Sequence, residues 1–349
     1  MSTDKTPRHT NPTGDINGAS SPLHQGSGAQ VTSDTPDAQT VRRTQTTIAS
    51  TRKPLMESNP QPMNKWRLYY RRFCRNRMAV AGVIIFFLLV LFALFGDAFA
   101  KYDYDEADFL ALSQPPSPEH WFGTNSAGND LYAMTVHGIG RSLTIAVTVS
   151  LCTTLISALV GTTAALLGGR PERFILAIIH FLLVIPSFLI IALMVSGSGG
   201  DWRLLIIVLI AFGWMYFARV IWSMTISIRE REFVKAARYM GVSNFRIVTR
   251  HLIPNIGSLL VINTTLGVVS AVMSETGLSF LGLGVKIPDV SLGTLLASGA
   301  NSLVASPWEF YFPAGILTLL TVSMAFIADG LRDALDPNSN AAGKANAHE

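Results

Sequence analysis

EFVKAARYMGVSNFRIVTRHLIPN, residues 232–255, lies between two long apolar runs. A plain connector would need only polar residues and a turn, but this stretch is patterned. Phe233, Ala237 and Met240 recur at i, i+4 and i+7 and line one helix face, while Glu232, Lys235 and Arg238 line another. Gly241 stands where a left-handed residue would end that helix. Ser243 is placed to cap a second helix, from Asn244 to about His251. Phe245, Val248 and Leu252 line one side of it, and Arg246 and Arg250 another. Pro254 then breaks the pattern. The reading is a stiff amphipathic helical hairpin. Periodicity alone leaves two roles open: a helix pair lying on anionic headgroups, or a docking element for another protein.

The flanks decide its setting. Of 349 residues, 49% are hydrophobic and 14% charged, with a mean hydropathy of +0.36. Soluble domains carry about 25% charged residues, so lipid is part of this chain's solvent. A net charge of +4 is no argument for nucleic acid. Residues 79–95, 143–167, 174–195, 204–226, 256–280 and 312–331 are apolar runs, each matched to the roughly 20 residues that cross a bilayer core. The expected fold is an all-α membrane protein with six transmembrane helices.

The first run follows KWRLYYRRFCRNR, residues 65–77, with six positive charges. Such a flank stays in the cytoplasm, which puts both termini inside. Inner loops then hold Arg170, Arg173, Arg229, Arg231, Lys235, Arg238, Arg246 and Arg250; outer loops hold Lys101, Arg141, Arg203 and Lys286. The asymmetry agrees with that orientation and places the hairpin in the cytoplasm. The first span is bulky, with Phe86, Phe87 and Phe92, and is expected to face lipid. The second to fifth carry Gly, Ser and Thr, which let helices approach closely. The chain divides into a disordered cytoplasmic tail (1–62), a basic juxtamembrane segment with the first span (63–96), an extracytoplasmic loop (97–141), a core of five spans (142–335) holding the hairpin loop (229–255), and a cytoplasmic tail (336–349).

Catalytic patterns are missing. There is no Gly-Lys-Ser/Thr phosphate loop, no Gly-x-Ser-x-Gly and no His-Glu-x-x-His. The two cysteines, Cys74 and Cys152, and the seven histidines have no ligand spacing. No catalytic residue, metal or cofactor is expected on this chain. An intramembrane protease would need a second carboxylate at the depth of Asp329. A channel would need no docking hairpin. Among intramembrane charges, Arg219 reads as snorkelling to the inner face and Asp329 as paired with a nearby arginine. Glu275, near the outer end of the fifth span, and Pro186, a kink in the third, are candidates for a pathway or gate.

Glu232, Ala236, Ala237 and Gly241, with Arg238, His251, Pro254 and Asn255, resemble the EAA loop of inner-membrane permeases in bacterial ABC importers. Other segments narrow the resemblance to the "C"-type permease of the dipeptide/oligopeptide/nickel importer family. HWFGTNSAGND (120–130) is similar to HWFGTDxxGRD, and ETGLSFLGLG (275–284) to EAxLSFLGLG; PWEFYFPA (307–314) and DGLRDALDP (329–337) match the last span and tail. Departures are Asn125 for Asp, Asn129 for Arg, the spaced EFVKAA, Thr276, Gly277, and Leu292 for Trp. The resemblance implies a type I ABC importer permease fold in the bacterial inner membrane. It implies that the hairpin docks on cytoplasmic ATPase subunits, two per complex, through Glu232, Ala236, Ala237 and Arg238, with Gly241 as the turn. It implies a sister permease in a heterodimer, a homodimer being the alternative, and an extracytoplasmic binding protein delivering peptides, with nickel or another small solute as the alternative cargo. ATP and Mg would sit on partner subunits. Residues 96–141 and 281–311 would face the binding protein. Their aromatics Tyr102, Tyr104, Trp121 and Phe122 read equally as interfacial anchors.

Overall fold

The computed structural model describes residues 65–197, 199–286 and 288–335; the tails expected at 1–62 and 336–349 lie outside the described residues. Helix α1, Lys65–Arg75, is basic and amphipathic and leads into α2, Arg77–Phe95. Asn76 separates them: its side chain accepts from the Met78 and Ala79 amides and caps α2. The following segment is irregular and carries isolated bridges Ala107–Asn129 and Thr124–Asp130. Asp130 then caps α3, Leu131–Leu167, accepting from the Ala133 amide at 2.9 Å.

The start of α3 moves the expected boundary, because the irregular segment ends at Asp130 rather than at residue 141. Its 37 residues rise about 55 Å at 1.5 Å each, well beyond a core of about 30 Å. Hydropathy starts a span where polar residues stop, and His137 and Arg141 interrupt the apolar run. The helix passes through them because both side chains find a partner on another segment.

The third expected span is broken rather than kinked. Helices α4, Gly169–Val184, and α5, Ser187–Ser196, meet at 71°. Ile185 is extended, at φ −72° and ψ 132°, as the residue before a proline prefers. Next come α6, Trp202–Gly213, and α7, Met215–Arg229, which together form one apolar span. The hairpin follows: α8, Glu232–Tyr239, then α9, Asn244–Ile247, a π-helical turn Val248–Leu252, and α10, Ile253–Asn255. Helices α11, Gly257–Phe280, α12, Leu292–Asn301, and α13, Trp308–Leu335, complete the bundle. Among the described residues five helical stretches are long and apolar enough to cross a membrane, or six if α4 and α5 form one bent span.

Helix α3 is the central pillar, packing against α7, α11, α6, α12 and α2, while α13 pairs with α2. A β-carbon at Gly161 would sit 2.5 Å from the Ala218 carbonyl oxygen, so only glycine lets α3 and α7 meet this closely. Hydroxyls stitch the same contacts: Ser150 donates to Thr264 O and Ser157 to Trp214 O, each at 2.6 Å. Helix α2 exposes Val83, Ile84, Phe87 and Leu88, as a lipid-facing span does. Asp329 is exposed and makes no ion pair among the described residues. The neighbouring Asp333 instead accepts from Asn76 Nδ2 at 3.0 Å.

Candidate functional site

The hairpin sits against the C-terminal end of α3. Arg229 Nη1 donates to Ala165 O at 2.7 Å and Arg238 Nη2 to Leu166 O at 2.6 Å. These are the last carbonyls of a long helix, where cations are favoured. The Arg238 guanidinium therefore ties the hairpin to the bundle, whereas the sequence reading gave it to a docking face. Arg229 also lies 3.9 Å from Glu172, which accepts from Trp222 Nε1 at 2.7 Å.

Gly241 has φ +74° and ends α8 as expected. Its amide donates to Arg238 O and that of Val242 to Ala237 O, both at 3.1 Å, the two bonds of a Schellman turn. The apolar stripe is not the expected one. Val234 and Ala237 are buried, while Phe233 and Met240 are exposed. In the second limb Ile247, Val248, Leu252 and Ile256 are buried and Phe245 is exposed. Ser243 makes no side-chain cap bond. Pro254 does not end the helix but follows a π turn in which the Ile253 amide donates to Val248 O. A proline cannot donate to the carbonyl four residues back and crowds it; widening the preceding turn by one residue relieves this. Glu232, Ala236, Pro254 and Asn255 are exposed. Tyr239 (90%), Met240 (75%) and Phe245 (73%) stand out from the hairpin as an apolar patch.

At the other end of α3, Asp289 receives His137 Nε2 at 2.9 Å and Arg141 Nε at 2.8 Å. Burial pushes the Asp289 carboxyl up, but the bonds from His137, Arg141 and the Val290 amide outweigh it and hold it below the usual carboxylate range. The Arg141 guanidinium lies 4.2 Å from the Trp202 ring centre. The aromatics of the irregular segment before α3 are spent on internal packing: Tyr102 stacks on His120, Tyr104 on His137 and Phe122 on Phe312, and Trp121 meets Tyr132 edge-on. Within the HWFGTNSAGND stretch, His120 pairs with Asp130 at 2.8 Å, and Asn125 Oδ1 accepts from the Ala127 and Asn129 amides. Asn125 and Asn129 thus keep local turn bonds.

Glu275 is fully buried. Its Oε1 accepts from Ser279 Oγ at 2.7 Å and Ser291 Oγ at 2.6 Å, pinning α11 to the start of α12. Ser291 also caps α12. Separately, a cavity of about 270 Å³ opens between α3, α5, α6, α7 and α11. Thr153, Ser157, Tyr216, Asn263, Ser270 and Ser274 give it polar groups without charge. Ser187, the residue after Pro186, lines it; Glu275 does not. Among the described residues no three His, Cys, Asp or Glu gather into a metal-binding group.

Residues 157–340 match the family described as binding-protein-dependent transport system inner membrane component, and residues 64–116 match the N-terminal TM domain of oligopeptide transport permease C. The chain belongs to the first of these families. It is a multi-pass membrane permease. The Oligopeptide transport system permease protein OppC of Mycobacterium tuberculosis is 47% identical over 274 residues, which are 78% of this chain and 94% of that protein. The proteins of the same name from Escherichia coli and Bacillus subtilis are 37% and 33% identical, over 78% and 79% of this chain and 91% and 90% of theirs. In this permease the family match covers the hairpin and the last two spans and begins within α3. The uncharged polar cavity was missed by the sequence reading. Its signal was present as hydroxyls and an amide recurring on α3 and α11.

Proposed function

We propose that this permease forms half of the pathway of an ATP-driven importer for peptides, and that its hairpin is the lever on which partner ATPase subunits act. One observation carries the reading. The hairpin is bolted to the bundle on one face, by Arg238 and the buried Val234 and Ala237, and presents Tyr239, Met240 and Phe245 outward beside Glu232 and Lys235. A stiff element with an uncovered apolar patch rimmed by both charge signs suits a protein partner better than a headgroup layer.

On this reading the hairpin and both termini face the cytoplasm, where ATP is. ATP and Mg are held by the partners, and a sister permease brings the second lever. An extracytoplasmic binding protein docks near residues 96–130 and 281–311. Peptides are the cargo because the relatives' names state oligopeptide transport. The uncharged cavity fits this, since hydroxyls and an amide can serve a peptide backbone whatever its side chains carry.

The test is a pull-down in mild detergent comparing wild type, Gly241→Val and Gly241→Asn. The site around Gly241 is open, so only its positive φ resists a side chain. Valine there costs about 1–2 kcal/mol, while asparagine tolerates the conformation. Wild type and the asparagine form should bring down a sister permease and ATPase subunits, and valine should lose the ATPases. Peptide uptake in a deletion strain should follow the same order. Equal ATPase recovery with all three would remove the lever reading, and nickel uptake without peptide uptake would replace the cargo.

A further inference from the structure

Asn263 is the one carboxamide in the helical stretches of this chain that are long and apolar enough to cross a membrane. An amide at that depth is costly unless its polar atoms are bonded. One side of it is: Nδ2 donates to Thr154 Oγ1 at 3.1 Å and ties α11 to α3. Its Oδ1 and its second N–H have no hydrogen-bond partner among the described residues, and the residue lines the uncharged polar cavity. Asn263, Gly267, Ser270 and Ser274 recur at i, i+4, i+7 and i+11 and give that cavity one face of α11. They rise about 16 Å, the length of about five residues of extended chain. The same cavity is bordered by two helix breaks: Ser187 opens α5 after Pro186, and Gly213 ends α6. Irregular backbone inside a membrane is tolerated where it lines such a space. The hydroxyls here are partly spent. Thr153 Oγ1 donates to Val149 O and Ser274 Oγ to Ser270 O, each at 2.8 Å, so toward a ligand each can only accept. Ser187, Ser270 and Tyr216 carry hydroxyls that rotate. Among the lining side chains Asn263 alone offers a donor and an acceptor side by side in one plane.

We propose that Asn263 is the residue that reads the cargo, pairing the free edge of its amide with the N–H and C=O of one peptide residue in extended conformation. In an extended chain these two groups of a residue point to the same side, as they do in an antiparallel pair. The carboxamide presents the matching acceptor and donor. The pairing involves main chain only, so it selects for a polypeptide backbone and is indifferent to the side chains the cargo carries. No charged residue lines the cavity to favour or oppose a charged side chain. Thr153 and Ser274, which can only accept, extend the same preference for N–H donors along the wall. Chains whose bonds lack an N–H are poor cargo on these grounds. A metal ion is also poorly served, because no His, Cys, Asp or Glu lines the cavity. The inference rests on the peptide-importing function proposed above and adds to it the atoms that do the selecting.

The test measures uptake of labelled tetra-alanine by cells of a deletion strain carrying wild type, Asn263→Leu or Asn263→Gln, with the amount of permease in the membrane measured for each. A set of analogues carries an ester in place of each peptide bond in turn, which removes a single N–H and little else. Any binding protein is the same for every variant, so its own preference cancels when the amide-to-ester uptake ratio is compared between variants. At one bond position the ratio should be several-fold higher in wild type than in Asn263→Leu, and Asn263→Gln should recover part of the difference. Uptake of tetra-alanine itself should fall several-fold in the leucine form. Leucine is favoured in a span, and Thr154 can turn its hydroxyl to a carbonyl of its own helix, so insertion persists; Asn263→Ala gives the same comparison should the leucine form fail to insert. A ratio equal to that of wild type at every bond position would overturn the proposal even where overall uptake falls, because a residue that only joins α11 to α3 would lower amide and ester uptake alike. Failure of wild type to import tetra-alanine at all would remove the peptide function proposed above and this inference with it, whereas normal import with an unchanged ratio removes this inference alone.

Discussion

Glu275 and Asp289 show how two carboxylates in one region serve different ends. Glu275 is sealed between α11 and α12, and its partners are hydroxyls. Replacing it by alanine leaves two buried serine hydroxyls without an acceptor, at about 2–4 kcal/mol. Glu275→Ala should therefore lower the unfolding temperature of the purified permease and expose residues 281–291 to protease. Gly293→Ala should do the same, because its β-carbon would fall 2.8 Å from Glu275 Oε1. If both variants melted like wild type, the carboxylate would not be the pin. Asp289 lies outside the spans and its effect depends on pH. Its carboxyl is held below the usual range, so its contribution to the folded state is complete above the ordinary carboxylate value of about 3.9. It is lost as pH falls through the lower folded value. The contact between α3 and the 281–291 segment should survive mild acid and open only below about pH 4. Limited proteolysis across that range checks this, and Asp289→Asn should give an open segment already at neutral pH.

At the scale of elements, the hairpin carries two adjacent alanines with opposite surroundings. Ala237 faces the bundle and is buried, whereas Ala236 faces out. Ala237→Leu overpacks the joint with α3 and should cost about 1–3 kcal/mol, loosening the hairpin. Ala236→Leu should leave folding unchanged but obstruct a docked subunit. Thermal unfolding and ATPase co-purification separate the two: stability falls in the first, recovery of the partner falls in the second. Similar behaviour of both variants would mean that the two faces are not distinct. The register of the second limb follows the same local logic. Val248 and Leu252 are buried as the period predicts, but Ile247 takes the place expected for Phe245, ahead of the π turn that precedes Pro254.

At the scale of the whole molecule, α3 connects the two ends. Its N-terminal half carries the Asp289 partners and its last carbonyls hold the hairpin arginines. A displacement of the hairpin is thus applied directly to a helix that reaches the opposite end. The break at Pro186 places Ser187 and Ile191 on the polar cavity beside this pillar. Pro186→Ala should restore an amide donor and favour a straighter α4–α5 segment, pulling Ser187 from the cavity. Peptide uptake should fall while membrane insertion and recovery of partner subunits persist. Uptake at the wild-type rate would show that the break does not shape the pathway.

The sequence by itself determined that this chain lives in lipid, where its apolar runs lie, and that a helix–glycine–helix hairpin interrupts them. These follow from composition, run length and local backbone preference, which act over a few residues. Gly241 is one case, because a left-handed turn residue is a local requirement and was found where it was expected. The sixfold reading of the apolar runs was sound in composition, but the third run divides at Pro186. Only the tertiary structure decided which face of the hairpin is buried, that α3 continues through His137 and Arg141, and that Glu275 is sealed while Asp329 makes no ion pair. Each of these depends on a partner far away in the chain. Asp289 satisfies His137 and Arg141, Leu166 O receives Arg238, and Ser291 reaches Glu275. A periodicity records that one face is apolar; which neighbour covers it, and whether a charge finds its counterpart, is settled only when the helices are packed together.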